Sequence, residues 1–347
     1  MLDSMQQIEG RASLRRERFV VLFYVFCSML VLARVIRERW AQLEQITPTL
    51  SQAEELHHVY APEAYRVGIP FLMHLVKGIV PGFSLAGILA SFDFLFGSAA
   101  LILLYSLVAS GYSLSRTAYP RRVAAISMAL AAAHFPFVWT MDWLRNVTIP
   151  SAFFLVCAVW ILQRVADKRF FLAPLLLLSA WQGVVRSDVA FTLGAALFLL
   201  AVCGLLDRLG PRWLMVGIGA AIALIAGGVQ LYMQRVAFPH LIYPPGTPVF
   251  MWRMNLTRTF LVTFVTATLP VVPIYWGAFV QRRLLRPVDW ICLGASLLYL
   301  PLWYAVGSIK EIRIFVPFYL LLVIPAASII VRYLLQESDD TASSATA

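Results

Sequence analysis

Leu85–Ala109 reads LAGILASFDFLFGSAALILLYSLVA, 25 residues with a single charged side chain, Asp93. As a helix such a run is about 38 Å long, more than the ~30 Å of hydrocarbon in a bilayer. Its apolar positions are continuous rather than alternating, which selects a helix over a barrel strand. Working outward, similar runs occupy 19–36, 122–140, 147–163, 170–184, 189–206, 213–233, 258–279, 288–305 and 314–333, the one at 170–184 being short.

Composition agrees. The chain has 347 residues, 61% hydrophobic and 13% charged, with a mean hydropathy of +0.78. That leaves too little polar surface to cover a soluble core. The sequence therefore predicts an all-α integral membrane protein with about ten transmembrane helices in a single domain, 19–335. A basic cytoplasmic lead, 1–18, precedes it and a disordered cytoplasmic tail, 336–347, follows. The first run reads as an uncleaved signal anchor, because Ala33-Arg34 begins a charged stretch without a cleavage pattern.

Basic residues cluster in short turns such as Tyr119-Pro-Arg-Arg122 and Gln281–Arg286, which places both termini in the cytoplasm. The net charge of +10 is scattered over membrane-flanking turns, so it suits anionic lipid headgroups and not nucleic acid. Cys27, Cys157, Cys203 and Cys292 all fall inside apolar runs without paired spacing; neither a disulfide nor a metal ligand set is expected.

Polar residues with chemical potential gather at the ends facing the other side. The first outer stretch, 37–84, reads as two interfacial helices separated at Pro48, followed by a segment from Tyr65 to Val80 that lies along the outer face. It holds Glu54, Glu55, His57, His58 and Arg66. Three charged turns share its side: Asp142/Arg145, Arg186/Asp188 and Glu311/Arg313. A second outer loop, 234–257, is rich in proline and aromatics and is placed to cap a cavity.

An acid beside an apolar site is able to act as a general base, which makes Glu54 and Glu55 candidates. The alternative is a solvated helix face. Arg66, Arg145, Arg186 and Arg313 sit where a fixed guanidinium holds a phosphate. The alternative there is pairing with Asp142, Asp188 and Glu311 or snorkelling to headgroups. Asp93, inside its span, reads as a proton-relay acid or as the partner of a buried arginine.

The outer acidic stretch, Tyr65-Arg66-Val-Gly-Ile-Pro70, Arg186-Ser-Asp188 at a span junction and Glu311-Ile-Arg313-Ile-Phe-Val-Pro317 together resemble bacterial polytopic proteins of the GT-C superfamily of membrane glycosyltransferases. The resemblance implies a GT-C-like fold in the bacterial inner membrane and a polyprenyl-phosphate sugar donor. It makes Glu54 or Glu55 the catalytic base and Arg66, Arg186 and Arg313 the donor-phosphate ligands, with His57, His58, Asp142, Arg145, Asp188 and Glu311 in support. The chain departs from the family in having Glu-Glu where an Asp-containing pair is common, and in lacking a large C-terminal extracytoplasmic domain. No metal-ligand motif is present, although a divalent ion is compatible with the chemistry. Two other classes remain open: a transporter or flippase of lipid-linked or anionic substrates, and a non-catalytic assembly subunit, for which Gly217, Gly219, Gly227 and Gly228 offer a small-residue stripe.

Overall fold

The computed structural model describes residues 2–38, 40–41, 43–44, 66–115, 118–140, 147–165, 168–239, 251–306 and 312–344. Among them all regular structure is helical: α1 (Leu2–Glu38), α2 (Gly68–Ile79), α3 (Leu85–Ala109), α4 (Tyr119–Thr140), α5 (Thr148–Val165), α6 (Leu172–Val202), α7 (Arg212–Tyr232), α8 (Trp252–Asn255), α9 (Arg258–Thr268), α10 (Val272–Val280), α11 (Pro287–Val306) and α12 (Val316–Ser344). Seven of the described helical stretches are long and apolar enough to cross a membrane. Helix α2, at 12 residues, is too short to do so and carries both a buried face (Ile69, Met73) and exposed Phe71, Leu75 and Ile79.

The two runs read as 170–184 and 189–206 form one helix, α6, with a single non-helical residue at Arg186 (φ −156°, ψ 90°). Only Arg186 departs from helical backbone geometry, so the two arms are joined by a kink with no loop between them. Their contacts fix their directions. Helices α3 and α5 run parallel, since Phe96 packs on Phe153 and Phe154 and, farther along, Ser106 meets Trp160. Gln182 donates to Ser151 near the start of α5, so the first arm ascends to that end. Arg186 bonds Tyr299, whereas Leu200 lies against Gly294, five residues earlier on α11. The start of α11 is in turn tied to the end of α3 by the bond from Arg286 Nη1 to the Leu107 carbonyl. From Arg186 to Leu200 the chain thus returns towards the end it came from. Helix α6 is a hairpin with Arg186 at its apex.

Helix α7 packs against the returning arm at very short range. A Cβ on Gly194 would lie 2.4 Å from the Ala223 amide nitrogen, and one on Gly219 would lie 2.4 Å from that of Phe198. Only glycine permits that approach.

The opposite end of the bundle is locked by two buried ionic clusters. Arg122 grips Glu17 through two bonds of 2.8 Å, Tyr105 donates to Glu17 at 2.6 Å, and Arg122 Nη1 also reaches the Ala109 and Tyr112 carbonyls. Arg286 pairs with the fully buried Asp289 at 2.9 Å and reaches Ser328. Sequence reading assigned Arg122 and Arg286 to headgroups. They point inward instead, because Glu17 on α1 and Asp289 on α11 compensate them and their remaining donors meet helix-end carbonyls.

Asn255, in the sequon Asn255-Leu-Thr257, is wholly buried and donates to the Tyr304 carbonyl at 2.6 Å. In a host that glycosylates such sites, Asn255→Gln is expected to leave the gel mobility unchanged. A downward shift would show that the amide is exposed.

Candidate functional site

At the helix break the side chains of the returning arm and of α11 converge on Arg186. The Arg186 guanidinium, 3% exposed, donates from Nε and Nη2 to the two Asp188 oxygens at 3.3 and 2.5 Å, from Nη2 to the Tyr299 hydroxyl at 2.6 Å, and from Nη1 to the Ile314 carbonyl at 3.2 Å. Tyr299 donates onward to Asp188 Oδ2 at 2.5 Å. Asp188 is the accessible member, with 32% of its side chain exposed. Its position in the first turn of the returning arm also suits the positive end of that helix.

Neighbouring elements brace this cluster. Ser187 donates to Gln230 on α7 at 2.5 Å, and Thr192 returns a bond to the Asp188 carbonyl. Beneath Tyr299 lies an aromatic stack in which Phe318 is 4.1 Å from its ring and Phe315 packs on Trp303 at 5.6 Å. Burial of Arg186 against this apolar floor keeps water from its side of the ion pair, while Asp188 retains partial access.

Two further basic residues converge on the apex. Gly68 at the start of α2 is pressed against Val185, so close that a Cβ would lie 2.8 Å from its side chain. This docking brings Arg66, two residues earlier, near enough for its charge to act on both Asp188 and Tyr299. Ile314, the acceptor for Arg186, belongs to the 3₁₀ turn Ile312–Phe315, which sets the backbone of Arg313 beside the cluster. The structure therefore assembles Arg66, Arg186, Asp188 and the Arg313 backbone from three separate segments. Glu54, Glu55, His57, His58, Asp142, Arg145 and Glu311 lie outside the described residues, as does the side chain of Arg313.

Sequence reading gave Arg186 a direct hold on phosphate. Its Nε, Nη1 and Nη2 groups are all engaged within the protein, which favours the alternative of pairing with Asp188. Tyr299 escaped notice because it stands in an apolar, aromatic-rich run; the signal available was its hydroxyl, which must find a partner when buried. Asp93 is buried and its Oδ1 has no hydrogen-bond partner, so the expected pairing with a buried arginine is not found among the described residues. No group of three metal-ligating side chains occurs among the described residues, and the four cysteines are free.

The chain matches no family model, no curated protein and no solved structure.

Proposed function

We propose that the chain is a membrane glycosyltransferase of GT-C-like architecture that moves a sugar from a polyprenyl-phosphate donor to an acceptor at the extracytoplasmic face of a bacterial inner membrane. In this reading there are ten crossings: the hairpin α6 crosses twice, α4 and the Val316–Val331 part of α12 each cross once, and both termini are cytoplasmic. The observation that supports it best is the apex cluster, in which an arginine-fixed carboxylate and a second arginine from another segment meet over an apolar floor.

The chemistry of this reading is an inverting transfer. Glu54 or Glu55 takes the proton from an acceptor hydroxyl. The acceptor oxygen bonds to the anomeric carbon, the carbon–oxygen bond to phosphate breaks, and polyprenyl phosphate leaves with the electron pair. Arg66 and Arg313 are assigned the growing charge on that phosphate, the kind of stabilisation that cationic donors supply in acyl and phosphoryl chemistry alike. Arg186 holds Asp188, Tyr299 and the Ile312–Phe315 turn in place, and so acts on the donor through them. The lipid tail occupies the bilayer, so the partners are the lipid-linked donor and membrane lipids.

The purified protein in lipid nanodiscs is expected to bind and turn over a polyprenyl-phosphate sugar. Glu54→Gln or Glu55→Gln removes turnover while binding survives, and Arg66→Ala or Arg313→Ala weakens binding by about tenfold or more, the loss of a charge-assisted contact. Absence of binding to any such donor overturns the reading. A transporter of anionic lipids is the second reading, favoured by the helix broken at a charged pair, a device transporters use at their binding sites. It predicts movement of the lipid-linked substrate between leaflets with no product formed.

A further inference from the structure

One turn deeper than the apex, two buried side-chain oxygens meet no donor among the described residues. Asp93 Oδ1 and Gln182 Oε1 are each buried without a partner, although their residues are only 5% and 4% exposed. In a membrane bundle such atoms are costly and persist where something outside the chain completes them.

Gln182 meets Ser151 directly, and the packing of α3 on α5 sets Asp93 at the same level. Gln182 Nε2 donates to Ser151 Oγ at 2.8 Å, leaving its Oε1 unused. On the other side, Phe96 and Phe154 are in ring contact at 5.3 Å on the parallel helices α3 and α5. Stepping back three residues along each helix, onto the same face, brings Asp93 level with Ser151. Gln182 is four residues before Arg186 on the ascending arm, so the Asp93–Ser151–Gln182 level lies about one helical turn below the Arg186–Asp188 cluster.

We propose that Asp93 and Gln182 form a subsite for a hydroxyl-rich group, accepting hydrogen bonds from a sugar whose phosphate is held at the apex above. The ligand class follows from the atoms: a carboxyl oxygen and an amide oxygen, neither with a partner among the described residues, suit hydroxyls, which both donate and accept. Helix α2 touches both α3 and α6. The assignment of that hydroxyl-rich group as the donor's sugar rests on the glycosyltransferase reading; the subsite itself rests on the orphaned acceptors.

The test compares wild type, Asp93→Leu and Gln182→Met in nanodiscs against polyprenyl phosphate and polyprenyl-phosphate hexose, with free methyl hexosides as a soluble probe in thermal melts. Wild type is expected to prefer the sugar-bearing lipid, each variant to lose about tenfold of that preference, and binding of the sugar-free lipid to stay unchanged. Asp93→Leu is also expected to raise the melting temperature by about 2 °C, because it removes an uncompensated buried carboxyl. Methyl hexosides stabilise wild type and not Asp93→Leu. Unchanged preference in both variants, or a lower melting temperature for Asp93→Leu, overturns the subsite. Failure of wild type to bind either lipid, with an Asp93-dependent hexoside shift intact, removes the functional reading and leaves the subsite standing. Failure of both lipids together with the hexosides removes both.

Discussion

Arg186→Ala is expected to be the most damaging single substitution at the apex end of the bundle, lowering stability by about 3–5 kcal/mol, the cost of breaking a buried ion pair by removing one partner. The alanine strands the Asp188 carboxylate and the Ile314 carbonyl, and it takes from the Tyr299 hydroxyl its donor. Asp188 is about one-third exposed and recovers some hydration, which favours the lower end of that range. Thermal melts in detergent check this, together with the fraction of protein eluting as a single species. Arg186→Lys is expected to rescue little, because one ammonium cannot reproduce a fork that serves two carboxylate oxygens, a hydroxyl and a carbonyl at once. The double variant Arg186→Met/Asp188→Leu, which removes both charges, recovers much of the stability and none of the donor binding. That split separates the structural role of the pair from its proposed part in function.

The second large effect lies where α6 and α7 touch. Gly194→Leu or Gly219→Leu is expected to cost about 3 kcal/mol or more, as overpacking against a neighbour that cannot yield. The obstacle is backbone: a Cβ at either position meets a main-chain nitrogen at 2.4 Å and further main-chain atoms at 2.9 Å. Even alanine forces the helices apart and disturbs Ser187–Gln230 at the apex. Gly217→Ala and Gly227→Ala are the controls, since a Cβ there meets nothing within 4 Å. They are expected to change stability by less than about 0.5 kcal/mol, as for substitutions away from packed features. Comparable losses at all four sites would place the stripe in a contact outside this chain.

These two predictions mark how far sequence alone reaches. The ends of α3, α5 and α7 are legible within a few residues because a continuous apolar run bounded by charge has one economical reading in a bilayer. Gly217, Gly219, Gly227 and Gly228 look alike as a stripe, yet only Gly219 meets a backbone, because which face of α7 turns inward depends on the hairpin. Arg186 and Asp188 are legible as a charged point between two runs. Their burial is not, because Tyr299 and Ile314 lie more than a hundred residues away and nothing local announces them. Arg122 and Arg286 mislead for the same reason: Glu17 is 105 residues from Arg122, and the carbonyl bound by Arg286 is 179 residues away. Charge near a span end reads as a headgroup contact until its distant partner is known. Asp93 stands apart, since its place inside a span is plain from sequence and the structure adds that no described residue completes its Oδ1.

The placement of every residue in the proposed site depends on α6 turning back at Arg186, and sidedness tests that most directly. Cys203, exposed just past the returning arm, is retained as the single cysteine in one variant; Lys168→Cys and Ser84→Cys are made in a cysteine-free background as markers of the two ends. With a membrane-impermeant maleimide applied to sealed vesicles, Cys203 is expected to label from the same side as residue 168 and from the side opposite residue 84. Labelling of Cys203 from the side of residue 84 would mean that α6 passes straight through, and the apex cluster with its proposed donor site would not exist.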